Sequence, residues 1–197
     1  MSEATPTLAL RGISKRYGST AALTSVDFDL RQHEVHALMG ENGAGKSTLM
    51  KILAGTESAD SGRILLDGQE VSIHNPLQAR AHGIATIHQE LNTVPSMTVA
   101  ENLALGMEPR TRYGTLDRRR MRAEAVEKLR AVGSTIDPST ELGSLSVGLQ
   151  QMVEIARAVS EDARILVLDE PTAALSRGES EQLFRLIDQM RTAGVGL

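Results

Sequence analysis

The sequence predicts an α/β fold: a mixed sheet, an N-terminal antiparallel β subdomain, and a helical subdomain inserted at about residues 90–160. Three observations predict it. Short strand-like apolar runs alternate with segments of helical period along most of the chain. A glycine-rich loop at residues 40–45 stands between an apolar strand and a helix. The continuous apolar run Ile165-Leu166-Val167-Leu168, typical of a strand buried on both faces, ends on the paired carboxylates Asp169 and Glu170.

The elements follow in order. Leu8–Ile13 and Val26–Leu30 alternate apolar with polar residues, as half-buried strands do. Val35–Met39 predicts a third strand, ended by Gly40, and Lys46–Ala54 a helix stopped by Gly55. Arg63–Leu66 is a short strand before the turn dipeptide Asp67-Gly68. Asn75 and Pro76 supply the N-cap and first-turn proline of a helix that Gly83 ends, and Ile84–His88 is the next strand. From Gln89 to Gly143 the pattern changes to short helices and loops with no strong strand, and Ser146–Ser160 predicts a helix leading back to the sheet. Ser176 with Glu179 forms a capping-box pattern. Leu183, Leu186, Ile187 and Met190 give the following helix one apolar face, Gly194 stops it, and Val195-Gly196-Leu197 starts another strand.

Composition narrows the function classes. Hydrophobic residues make up 41% of the 197, ordinary for a globular chain, but aromatics only 2%, so aliphatic side chains and Met must fill the core. No apolar run approaches the roughly 20 residues that cross a bilayer, and Met1–Pro6 lacks the layout of a signal peptide. Cysteine is absent, which excludes disulfides and thiolate metal sites. A net charge of −4 argues against a nucleic-acid module. The basic cluster Arg118-Arg119-Arg120 with Arg122 opens a helix whose apolar positions are Met121, Ala125, Leu129 and Val132, and reads as its solvated face.

The most specific motif is Gly40-Glu41-Asn42-Gly43-Ala44-Gly45-Lys46-Ser47, which fits the P-loop pattern G-x-x-x-x-G-K-[ST] in its proper strand–loop–helix context. Its glycines let successive backbone N–H groups converge on phosphate oxygens. The helix that follows adds the positive end of its dipole. Lys46 offers a charge to β- and γ-phosphates, the Ser47 hydroxyl suits Mg²⁺, and Thr48 reaches toward the α-phosphate. Asp169 and Glu170 lie where ligands bind in an open α/β sheet, at a strand's carboxyl end. Asp169 is suited to hold Mg²⁺ through water and Glu170 to polarise the attacking water.

Leu145-Ser146-Val147-Gly148-Leu149-Gln150-Gln151, at the start of a helix, resembles the L-S-G-G-Q signature of ATP-binding-cassette proteins. The resemblance implies ATP and Mg²⁺ as cofactors, with Ser146 and the Gly148 amide presented to the γ-phosphate of a nucleotide held by a partner cassette. It also implies that Tyr17 stacks on adenine, and that Gln89 touches Mg²⁺ and the attacking water and joins the core to the helical subdomain. Residues 34–55, Ile87–Asn92, Thr98–Asn102 and Asp169–Leu175 are similar to the ATPases of monosaccharide importers, in which one polypeptide carries two cassettes. Pro171–Leu175 resembles the first of these.

That branch implies a transmembrane sugar permease as partner, an extracytoplasmic sugar-binding protein acting indirectly, and a peripheral place on the cytoplasmic face of the inner membrane. Leu91–Leu105 is expected to dock a permease helix through Val94, Met97, Val99 and Leu103. The sequence departs from the family at Leu149, where Gln is usual, and at Ser176, where many members have Asp. His33, His36, His74, His82 and His88 all lie too early to be the family's switch histidine, so residues 1–197 read as one truncated cassette of a longer protein. Two other classes stay open at this point: a cassette ATPase acting on DNA or ribosomes, and a regulatory nucleotide-binding module without turnover.

Overall fold

The computed structural model describes residues 5–41, 43–87, 93–159, 163–171 and 175–197. Asn42, His88, Gln89 and Ser160, and with them the Glu90–Asn92 and Thr172–Ala174 stretches of the resemblance, lie outside the described residues. The chain gathers into two units: one of Met1–Thr86, Ala163–Asp169 and Ile187–Leu197, the other of Ile87–Asp162 and Glu170–Leu186.

In the first unit, β1 (Leu8–Tyr17), β2 (Thr20–Leu30), β3 (Ser61–Leu66) and β4 (Gln69–Val71) form an antiparallel sheet in the order β2-β1-β3-β4. The alternation of β1 and β2 runs on past the stretches legible in sequence, because Tyr17 pairs with Thr20 in a tight hairpin. The β1–β2 register shifts between Leu10 and Ile13, where Gly12 sits at φ 63 and donates its N–H to Asp27 Oδ1 at 2.7 Å. This irregularity lets Leu8, Leu10 and Ile13 all reach full burial. They pack with Leu30, Ile52, Leu53, Ile64 and Ile165 in one aliphatic core, as the scarcity of aromatics requires.

Helix α1 (Lys46–Leu53) buries Leu49, Ile52 and Leu53 in this core. Asn75 accepts the Gln78 N–H as N-cap of α2 (Pro76–Ala81), with Pro76 in its first turn. Strand β5 (Ile84–Ile87) lies beside β6 (Ile165–Leu168) in a second sheet, and Gly196 bridges to Ile165 in parallel.

The expected strand Val35–Met39 does not form a sheet strand. Its ladder is limited to Leu197 N–H to Glu34 O at 2.9 Å and His36 N–H to Leu197 O at 2.8 Å. No named strand among the described residues pairs with this segment. Val35 and Met39 are accordingly exposed.

The second unit is helical. Helices α3 (Val99–Ala104), α4 (Arg118–Ala131) and α5 (Val147–Val159) pack on one another. Helix α4 buries Met121, Ala125 and Leu129 and leaves its arginines on the outside, with Arg120 paired to Glu124 and Arg130 to Glu127. Val99 and Leu103, expected as docking anchors, are instead fully enclosed in this helical core, since α3 turns the same face to α4 and α5. Val94 and Met97 are half-buried. Helix α6 (Arg177–Thr192) begins in the second unit and ends in the first.

Thr98 and Glu101 cap α3 reciprocally: the Thr98 N–H and hydroxyl each donate to Glu101 at 2.9 Å, and the Glu101 N–H returns to the Thr98 hydroxyl at 3.2 Å. Those bonds hold the Glu101 carboxyl below its ordinary 4.5. A carboxyl whose folded pKa is depressed contributes stability above the unfolded value, and that contribution fades as pH falls through the folded one. Glu101→Gln is therefore expected to be less stable than the parent by about 1 kcal/mol at neutral pH. The gap should close below pH 4.5. Denaturant melts followed by circular dichroism from pH 7 downward check this, and a gap independent of pH would contradict it.

Candidate nucleotide-binding site

The loop between the extended segment and α1 is shaped by two left-handed glycines, Gly43 and Gly45, both at φ 88. At Gly45 the requirement is absolute. A Cβ there would lie 2.5 Å from the Ala22 carbonyl oxygen and 2.7 Å from Leu23 Cδ2, so the loop lies directly on β2. Gly40 is tight as well, with Ala44 Cβ at 3.1 Å from where its own would be. The Ala44 N–H donates to Glu41 O at 3.1 Å and closes the turn.

Gly45 is the N-cap of α1 and no side chain caps that end, so the first-turn N–H groups face the loop without a side-chain acceptor. Lys46 folds back over the same loop and donates to Gly40 O at 2.5 Å and Glu41 O at 3.0 Å. The Lys46 ammonium and the uncapped helix terminus thus belong to one loop, an arrangement that suits an anion such as phosphate. Ser47 is exposed and Thr48 half-buried on the first turn.

Asp169 closes β6 and is half-buried. Glu170 follows at φ 46, a left-handed backbone uncommon for a residue with a side chain, and its carboxylate is exposed. The chain thus turns sharply just after the strand, and the two acidic neighbours fall in different units. Ser47 and Asp169 offer hard oxygen donors that suit Mg²⁺, which takes one or two protein ligands beside phosphate oxygens and water. Among the described residues no group of three His, Cys, Asp or Glu could hold a metal by itself.

Tyr17 ends β1 with 43% of its surface exposed. Lys15 lies over its ring at 5.5 Å from the centroid and is held there by Ser58 O at 2.7 Å, with Glu57 and Asp60 within 3.5 Å. Gln89, assigned to Mg²⁺ and water, is outside the described residues.

The signature segment is entirely in the second unit. Ser146 caps α5 through a 3.4 Å bond from the Leu149 N–H, and the Gln150 side chain donates to Leu145 O at 2.9 Å. The capping box Ser176–Glu179 forms as the sequence predicts, with Ser176 N–H and hydroxyl both donating to Glu179 Oε2. One contact was not legible: the Ser146 hydroxyl donates to Glu179 Oε1 at 2.6 Å. The Ser-x-x-Glu spacing places that carboxylate at a helix start, but gives no hint of a second partner more than thirty residues earlier.

Residues 23–173 match the ABC transporter family model. The chain belongs to the ABC transporter family. It is 54% identical over 191 residues to the ribose import ATP-binding protein RbsA of Chromobacterium violaceum, covering 96% of this chain and 38% of that protein. It is 51% identical over 197 residues to RbsA 1 of Streptomyces avermitilis, covering 100% of this chain and again 38% of the relative. The chain thus spans well under half the length of the curated relatives it matches.

Among solved structures it resembles a nucleotide-free ATP-binding cassette from an ABC transporter, with a TM-score of 0.85 at 25% identity, covering 96% of this chain and 79% of that one. A dimeric post-hydrolysis cassette bound to ADP and Pi matches with a TM-score of 0.76 at 25% identity, over 94% of this chain and 83% of that one. The fold is that of ATP-binding cassettes, with the predicted mixed α/β layout and N-terminal antiparallel sheet.

Proposed function

We propose that this chain is the ATP-binding and ATP-hydrolysing cassette of a monosaccharide importer, peripheral to the cytoplasmic face of the membrane and coupled to a transmembrane permease. The observation that carries the reading is 54% identity, across 96% of the chain, to a protein named for ribose import. In this assignment the Gly40–Gly45 loop and Lys46 hold the β- and γ-phosphates, Thr48 lies by the α-phosphate and Tyr17 by the adenine. Ser47, Asp169 and Gln89 hold Mg²⁺, which neutralises charge on the phosphate oxygens when bound. Glu170 accepts the proton of the attacking water.

In this reading Ser146 and Gly148 face the nucleotide of a second cassette; a solved cassette of this fold is dimeric and bound to ADP and Pi. An extracytoplasmic binding protein delivers the sugar. With Val99 and Leu103 enclosed, the surface that meets the permease is drawn from the exposed Pro95 and Ser96 beside half-buried Val94 and Met97. The relatives' names favour import over action on DNA or ribosomes.

The test is sugar uptake by vesicles that contain the permease and internal ATP, with and without this cassette. ATP-dependent uptake of ribose, galactose or a related monosaccharide that needs the cassette is expected. ATP turnover without uptake of any of them would overturn the import reading and leave the ATPase reading standing.

A further inference from the structure

The two signature residues assigned to a phosphate share one carboxylate neighbour of the same chain, which takes the Ser146 hydroxyl and lies against the Gly148 backbone. The Ser146 hydroxyl has a single proton, and it is given to Glu179 Oε1 at 2.6 Å. Beside it, a Cβ added to Gly148 would strike Glu179 Cδ and lie 2.5 and 2.8 Å from its two carboxylate oxygens. The carboxylate therefore rests against the first turn of α5, where the helix dipole favours a negative group. It is held from its own side as well, by the Ser176 hydroxyl at 2.7 Å and the Ser176 N–H at 2.9 Å.

We propose that Glu179 is an internal anion at the signature helix: it occupies the place of the γ-phosphate and must withdraw before Ser146 can donate to that phosphate. This rests on the assignment of Ser146 and Gly148 to a partner's nucleotide. The chemistry leaves little room for both anions. A hydroxyl donates one hydrogen bond, and a phosphate brought beside a carboxylate meets a like charge. The bonds from Ser146 and Ser176 hold the Glu179 carboxyl below its ordinary 4.5, so it is charged at neutral pH.

The arrangement also explains why a glycine suits position 148: any side chain would strike the carboxylate at its resting place. Glu179 stands on the segment that follows the acidic pair, at the head of α6. By holding the Ser146 proton, Glu179 sets how readily the signature accepts phosphate.

The test uses the 197-residue chain and inorganic phosphate, followed site by site through the amide chemical shifts of residues 146–150. Glu179→Gln keeps the shape and the acceptor oxygen but removes the charge. The phosphate concentration that half-saturates these shifts is expected to fall about fivefold in the variant. An unchanged or higher concentration, or no response in either protein, overturns the proposal. Ser146→Ala separates the two assignments. If it leaves the response unchanged while Glu179→Gln sharpens it, Ser146 is not a phosphate ligand and the signature assignment fails. If it weakens the response while Glu179→Gln does nothing, the signature assignment stands and the internal anion fails.

Discussion

Glu170→Gln is expected to leave MgATP binding intact and to slow hydrolysis at this site by about 10²–10⁴-fold. The substitution keeps size and shape but replaces a proton acceptor with an amide that cannot take the proton of the attacking water. Position supports the assignment: Glu170 is the second residue beyond β6, directly after Asp169, exposed and on a left-handed backbone. Such a conformation costs of order 1 kcal/mol in a residue with a Cβ, and function is a reason for the fold to retain it. Single-turnover hydrolysis is the proper measurement, made with any second site disabled so that it cannot mask the loss. Normal turnover in the variant would show that Glu170 is not the base.

Lys46→Ala is expected to weaken MgATP affinity by roughly 10–100-fold, the equivalent of about 1.5–3 kcal/mol for a charge-assisted hydrogen bond. Its ammonium donates to Gly40 O and Glu41 O, so the variant loses two loop-closing bonds as well as the charge. Calorimetric titration separates the contributions. Lys46→Met keeps most of the stem and loses the charge, and should fall close to the alanine variant if charge dominates. Affinity unchanged in both would remove Lys46 from the phosphate site.

The loop was legible in the sequence because its chemistry is local. Gly43, Gly45, Lys46 and Ser47 fall within five residues, so the pattern of left-handed glycines followed by a charge and a hydroxyl is visible in one short stretch. The caps at Asn75 and Ser176 were readable for the same reason. The Thr98–Glu101 box is equally local, a Thr-x-x-Glu spacing at the head of α3.

What could not be read depended on distant partners. Val35–Met39 has the composition of a strand, but strand formation is decided by the neighbour that pairs with it, here the backbone of Leu197. Val99 and Leu103 have the spacing of an amphipathic face, and spacing alone does not say whether that face meets its own core or another protein. The Ser146–Glu179 bond joins two helix starts far apart in sequence, each of which satisfies a local capping rule without the other.

The division of the first unit among three stretches of chain has a consequence for how the protein is made. Strands β1 to β4 are all available once Val71 has been synthesised, so the antiparallel sheet can close early from short hairpins. Strand β5 is complete at Ile87, yet its neighbour β6 begins only at Ile165. At a translation rate of about 5–20 residues per second, the β5 edge stands unpaired on the nascent chain for on the order of ten seconds. During that interval its row of free backbone groups can pair with any passing strand. The intervening helices, whose mutual contacts all fall within Val99–Val159, are complete before β6 and can pack first. Slow synthesis through the α4–α5 region should therefore trouble β5 more than any other strand, and chaperone demand should be concentrated on that interval of translation.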